Sequence, residues 1–271
     1  MTASIRGLAY TTDGPAEAPP LVLIHPIATS SRIWEPQLPV WARHWRVVRI
    51  DLPGHGASLP PTRLASFAEW ADDLAAVLDH LGMQQVSMVG LSLGGMVAQA
   101  FALNHAERLT SLVLAHTSAH TAAPVREMWT QRTAQVREFG VAAQVDPTLA
   151  RWFTRSFLER APLTTRWVAE QICATSIEGY AAAAEAIRDL NHLERLREIR
   201  APTLVVAGAD DTAAPPALGA AIVERMQQAR LAIIDHAAHL GNVEQPIVFA
   251  ELIGGFLTEV QDSGVSSRGQ A

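Results

Sequence analysis

The sequence predicts a doubly wound, mostly parallel α/β sheet with a helical cap inserted before the strand that carries the candidate acid. Three observations predict it. Six short runs are apolar on both faces, which suits strands buried in a parallel sheet covered by helices. Helical patterns separate those runs. The alternation breaks once, over residues 119–190, where helical segments follow one another without a strand-like run.

The elements follow in chain order. Residues 4–11 supply an edge strand, and residues 21–25 (LVLIH) a buried one that Pro19-Pro20 delimits. The next strand is 47–51 (VVRID), closed by Pro53-Gly54. Residues 67–81 place apolar side chains at 67, 70, 71, 74, 77, 78 and 81. That is helical spacing, and Gly82 is positioned to end the helix. Strands at 86–90 (VSMVG) and 109–115 (LTSLVLA) bracket a helix over 96–103. Residues 119–190 are rich in Ala and Arg and hold Trp129, Trp152 and Trp167. The last strands are 204–208 (LVVAG) and 231–235 (LAIID), and a helix over 247–256 closes the fold. The chain therefore divides into a core (1–118 and 191–260), a helical cap (119–190) and a small, polar tail expected to be disordered (261–271).

Composition narrows the functional classes. The chain has 271 residues, 49% hydrophobic and 18% charged, which excludes a disordered protein. At this length roughly three quarters of the unfolded surface is buried, so no staple is required. The single cysteine, Cys173, excludes an intramolecular disulfide and any cysteine-based zinc or iron–sulfur site. The net charge of -6, with no basic stripe, argues against a nucleic-acid partner. No apolar run approaches the roughly 20 residues that span a bilayer, and the first residues lack a signal-peptide core. A cytoplasmic protein acting on a small molecule is the expectation, with the oligomeric state left open.

The chemistry-bearing motif is Gly90-Leu91-Ser92-Leu93-Gly94, a G-x-S-x-G sequence between a strand and a helix. In that context the turn is so tight that side chains two residues either side of the serine would collide, and glycine is required at both places. The alternative is that Ser92 only caps a helix. A serine hydroxyl needs a base, and the chain order expected for such a turn is serine, acid, histidine. The strand at 204–208 leads into Asp210 and Asp211, which compete as the acid, with Asp211 preferred; either Asp210 or Thr212 would also serve as a helix cap. The strand at 231–235 leads into His236 and His239. His239 lies further out on its loop and is preferred, while His236 reads as a packed or surface residue. The remaining eight histidines read as turn, helix or strand-end residues, and without clustered carboxylates a metal site is not expected. The oxyanion donors are expected to be the N–H of Leu93, after the serine, and the N–H of Ile27, because Pro26 before it has none. Trp129 and Trp152 are candidate apolar walls. Arg132 and Arg151 are candidate receptors for a substrate carboxylate, unless they are solvent-facing helix residues.

The loop at 25–27, DLPGHGAS at 51–58, GLSLGG at 90–95, GADDTAAPP at 208–216 and AAHLGNVEQP at 237–246 resemble the α/β-hydrolase superfamily over about residues 20–258. The resemblance implies a cofactor-free hydrolase of esters or lactones. It favours Asp211, three residues beyond the strand-ending glycine, and His239, followed by Glu244 and Pro246. Within that superfamily, GYAAAAEAIRDLN at 179–191, APTLVVAGADD at 201–211 and DHAAHLGNVEQP at 235–246 look like the 3-oxoadipate enol-lactonases of aromatic catabolism. The loop His25-Pro26-Ile27 departs from these lactonases and resembles general carboxylesterases. Other readings on the same scaffold are a perhydrolase or haloperoxidase and, more remotely, a non-catalytic ligand-binding protein. Dehalogenases and most epoxide hydrolases of this fold carry an aspartate at the elbow, so Ser92 argues against both.

Overall fold

A computed structural model describes residues 3–268. Strands β1 (Ala3–Ile5), β2 (Leu8–Asp13), β3 (Pro20–Ile24), β4 (Arg46–Ile50), β5 (Val86–Leu91), β6 (Leu109–Ala115), β7 (Thr203–Gly208) and β8 (Ala229–Ile234) form one sheet in the order β1-β2-β4-β3-β5-β6-β7-β8. β1 pairs antiparallel with β2 and β2 antiparallel with β4, and all later pairings are parallel. The sheet is doubly wound, as the alternation of apolar runs and helical patterns predicts. Its central strands are buried on both faces, with Leu21–Ile24 and Leu112–Ala115 fully inaccessible. This explains why they read as continuous apolar runs and not as alternating ones.

Around the sheet lie α1 (Leu38–Trp41), α2 (Phe67–His80), α3 (Leu93–Asn104), α9 (Pro216–Arg225), α10 (Gly241–Glu244) and α11 (Pro246–Arg268). Between β6 and β7 the chain forms α4 (Ala123–Phe139), α5 (Val145–Trp152), α6 (Arg155–Arg160), α7 (Pro162–Ala174) and α8 (Ile177–Arg188), with no intervening strand. Helix α2 shows how local sequence sets an element. Ser66 accepts the Glu69 N–H at 3.3 Å while the Glu69 carboxylate accepts the Ser66 N–H at 2.8 Å, so two otherwise unpaired donors are satisfied reciprocally. The helix then buries Phe67, Trp70, Leu74, Val77 and Leu78, and Gly82 beyond it takes φ +69°.

Three expectations are corrected. The edge strand over 4–11 is two strands, because Arg6 and Gly7 turn the chain at φ +49° and +84°. The helix after β5 starts at Leu93, three residues earlier than its apolar pattern, because the elbow passes directly into it. The tail expected from residue 261 continues α11 through Arg268, since extending an existing helix costs far less than nucleating one; residues 269–271 of that tail lie outside the described residues. No helix among the described residues is long and apolar enough to cross a membrane.

Candidate active site

The site is assembled where β5, β6, β7 and β8 end. Ser92 joins β5 to α3 at φ 54°, ψ −114°. A Cβ on Gly90 would lie 2.3 Å from the Gly94 carbonyl oxygen, and one on Gly94 would lie 2.1 Å from the Ile24 carbonyl oxygen. Both glycines are therefore dictated by close approach, and that approach fixes the start of α3 against the end of β3. The Ser92 carbonyl accepts the Thr117 hydroxyl at 2.7 Å, and the Ser92 N–H donates to the Ala115 carbonyl at 2.8 Å. The strained serine is thus tied to the end of β6.

His239 Nε2 lies 2.9 Å from Ser92 Oγ, and His239 Nδ1 lies 2.9 Å from Asp211 Oδ2. All three side chains are buried, and they come from positions up to 147 residues apart. Asp210 and His236, the competing candidates, are exposed. The other Asp211 oxygen accepts the N–H groups of Ala213 and Ala214, each at 2.8 Å. Burial alone would raise the Asp211 carboxyl. The charge of His239 and the hydrogen bonds from His116 and His239 outweigh burial and hold it well below the usual carboxylate range. His239 sits on a loop clamped from outside: Ala238 N–H donates to Glu244 Oε2 at 2.9 Å, Thr154 donates its hydroxyl to Glu244 Oε1, and Leu240 N–H donates to the Trp152 carbonyl at 3.1 Å.

One candidate oxyanion donor, the Ile27 N–H, is oriented by its peptide plane. The buried imidazole of His25 accepts the Leu52 N–H on Nε2 at 2.9 Å, which leaves Nδ1–H to donate to the Pro26 carbonyl at 2.7 Å. Thr29 Oγ1 donates to the same carbonyl at 2.9 Å. Burial holds His25 below its ordinary value, so the ring stays neutral. With the Pro26 carbonyl held on one side, the Ile27 N–H of the same trans peptide points to the other. Neither it nor the Leu93 N–H at the start of α3 has a hydrogen-bond partner among the described residues.

A cavity of about 290 Å³ opens over Ser92. Ile27, Trp129, Arg132, Arg151, Trp152 and His239 line it, so the structure brings the sequence-predicted cap residues to the serine. The Trp152 ring lies 6.0 Å from the His239 ring, and the Arg132 guanidinium lies 5.1 Å above the Trp129 ring. Arg151 spends its Nε–H on the Pro147 carbonyl at 3.0 Å. Arg132 has no ion-pair partner among the described residues. The titratable group that acts on it is Tyr180, pushed up to about 12 by burial and hence neutral. Tyr180, Met128 and Val125 also line the cavity, as does the strand-end His116, and sequence reasoning passed over all of them. Only His116 carried a usable signal, because it directly follows β6 at the end of the sheet where such folds place their sites. His116, Asp211 and His239 bring ligand-type atoms within 4.8 Å of one another. Their contacts of 2.9 and 3.1 Å are hydrogen-bond distances, and we assign no ion there.

A nucleophilic hydroxyl, a base, a buried carboxylate and two free N–H groups over a doubly wound sheet define an enzyme that hydrolyses carboxylic esters or lactones. The chain belongs to the α/β hydrolase fold family, which matches residues 19–246. It is 32% identical over 249 residues to 3-oxoadipate enol-lactonase 2 of Acinetobacter baylyi, covering 92% of each chain. Among solved structures it is similar to a hydrolase from Pseudomonas aeruginosa (36% identity, TM-score 0.90, 95% and 97% of the two chains). It is also similar to the enol-lactonase from Burkholderia xenovorans (32% identity, TM-score 0.91, 95% and 100%).

Proposed function

We propose that this enzyme opens a small lactone bearing a free carboxylate, an enol-lactone of the 3-oxoadipate type, with Ser92 as nucleophile. The observation that carries the substrate reading is Arg132, a partly buried guanidinium without an acidic partner in the cavity that holds Ser92. A planar carboxylate is its natural complement. His239 accepts the Ser92 proton as Oγ attacks the lactone carbonyl. Asp211 fixes the imidazole in orientation and stabilises its cation. The N–H groups of Ile27 and Leu93 hold the oxyanion, each contributing about 3 kcal/mol to the transition state. The ring oxygen leaves with the proton from His239 and stays tethered to the acyl chain. Water, deprotonated by the same histidine, then releases Ser92 and a single ring-opened acid. Trp129 and Trp152 wall the cavity on the apolar side. Every step uses groups of this chain. A cytoplasmic setting without nucleic-acid partners belongs to the same reading, and the net charge of -6 supports the second part.

Steady-state kinetics on 3-oxoadipate enol-lactone and on a neutral aryl acetate test the proposal. Arg132→Ala should raise KM for the charged lactone about 10- to 100-fold, the loss of a charge-assisted bidentate contact, and leave the neutral ester near wild type. Ser92→Ala should lower kcat on both by about 10⁴-fold or more. Equal KM values for wild type and Arg132→Ala on the lactone would reject the substrate reading and leave a general carboxylesterase.

A further inference from the structure

Asp211 serves two imidazoles, and the reaction above uses only one of them. His116 Nδ1 lies 3.1 Å from Asp211 Oδ2, the same oxygen that His239 approaches at 2.9 Å. The His116 ring is 1% exposed, stacks on Phe249 at 6.3 Å and 16°, and stands edge-on to His239 at 6.0 Å. Its backbone is held at φ +48° by an N–H bond to the Val206 carbonyl at 2.7 Å. A non-glycine residue in that region is strained, so the placement is over-determined by its surroundings. The tautomer is set by the far side of the ring. Nε2 has no partner and faces Gly241, where an added Cβ would lie only 2.6 Å away. A proton on Nε2 would be a buried, unpaired donor, and two lone pairs would then face each other at Oδ2. Nδ1–H donating to the carboxylate is the arrangement that satisfies both.

We propose that His116 is a positioning residue that donates Nδ1–H to the Asp211 oxygen already holding His239, and thereby sets the acid edge of the activity profile. The proposal rests on the reading of Ser92, His239 and Asp211 as the reacting chain. Two N–H donors on one oxygen divide its charge. The carboxylate then stabilises a cation beside it less, which places the acid limb of kcat/KM at lower pH. The other ionisable groups around the cluster are few. Glu244 on α10 is occupied by Ala238 and Thr154. Arg132 on α4, Arg151 on α5 and His120 line the cavity. Asp210, Asp235 and His236 on the adjoining loops are exposed.

The test is the pH dependence of kcat/KM on a neutral aryl acetate, which does not itself titrate. His116→Leu removes the donor in a similar volume. His116→Asn keeps a neutral N–H donor and suits a positive φ. The acid limb of His116→Leu should move up by about one pH unit, and that of His116→Asn by less than half as much. An unmoved limb in His116→Leu overturns the proposal. Equal shifts in both variants overturn it too, since they would report packing alone. Nitrogen-15 histidine spectra of the unaltered protein decide the matter if His116→Leu does not fold. The signal missing from His116→Asn should be a neutral, Nδ1-protonated ring that does not titrate in the ordinary histidine range. An Nε2-protonated or titrating ring there overturns the proposal. Ser92→Ala separates the two readings. If it keeps wild-type activity, the reacting chain itself is wrong; if it is inactive while the His116→Leu limb stays put, only the role of His116 falls.

Discussion

Asp211 is an anion with its acceptor capacity filled. Two backbone N–H groups point at Oδ1 and two imidazoles at Oδ2, which matches the four lone-pair sites of a carboxylate. An amide at this position cannot reproduce that set. If its oxygen serves Ala213 and Ala214, its NH2 faces two imidazole donors, and His239 must turn or change tautomer. Asp211→Asn should therefore fold and lower kcat about 10⁴-fold, the loss expected for a mis-set base. A kcat within tenfold of wild type, with thermal unfolding unchanged, would remove Asp211 from the chemistry. Because its neighbours hold this carboxyl well below the usual range, Asp211 stays ionised through mildly acidic conditions. Activity lost there belongs to an imidazole.

At the scale of elements, the inserted helices are pinned to the sheet at a few contacts. Ser176, at the start of α8, donates its N–H and its hydroxyl to the Gly54 carbonyl, both at 3.0 Å. Gly54 itself sits at φ +72° in the PGHG turn. Gly179, one turn into α8, lies so close that a Cβ there would come within 2.6 Å of Gly54 Cα. Backbone stands on both sides, so the contact has no flexible side chain to yield. Gly179→Ala should cost about 1–3 kcal/mol in unfolding free energy, read from denaturant midpoints, as an overpacked contact does. Unchanged stability would mean that α8 can slide off the turn freely. The buried strands were legible because both their faces are apolar. The β1–β2 hairpin was not, because the common signal for its turn is Asn-Gly or Asp-Gly and here Arg6 takes the positive φ. The end of α11 was illegible for a similar reason, since small polar residues carry little signal when a preceding helix extends through them.

The whole molecule gathers Ser92, His116, Asp211 and His239 at the carboxyl ends of four consecutive neighbours in the sheet, β5, β6, β7 and β8. That gathering is why most of the site could be read. The strand-ending motifs mark three of the four places, and their order along the chain matches the elbow motif. His116 also ends a strand, but no motif surrounds it and its partner lies 95 residues away, so its position alone did not single it out. The same architecture buries several histidines away from water, with a consequence for the stability of the entire fold. Burial pushes His55 down to about 3, and it holds His25 and His116 below their ordinary values as well. His192 is lowered to about 4 by burial and by Arg195. In each case the folded state binds its proton more weakly than the unfolded chain does. Above about pH 6.5 both states are deprotonated and these groups leave stability independent of pH. Below it the unfolded chain takes up protons that the fold refuses, and stability falls until the folded-state values are passed, for His55 near 3. Each such histidine contributes up to about 1.4 kcal/mol per pH unit in that window. Urea unfolding should therefore give a constant free energy between about pH 7 and 8 and a fall of at least about 2 kcal/mol per unit from pH 6 to 5. His55→Gln should reduce that slope by about one proton while lowering stability at pH 7. A free energy that stays level down to pH 5 would mean that these rings are protonated in the folded protein, and the neutral, Nδ1-donating His25 that orients the Ile27 peptide would fall with it.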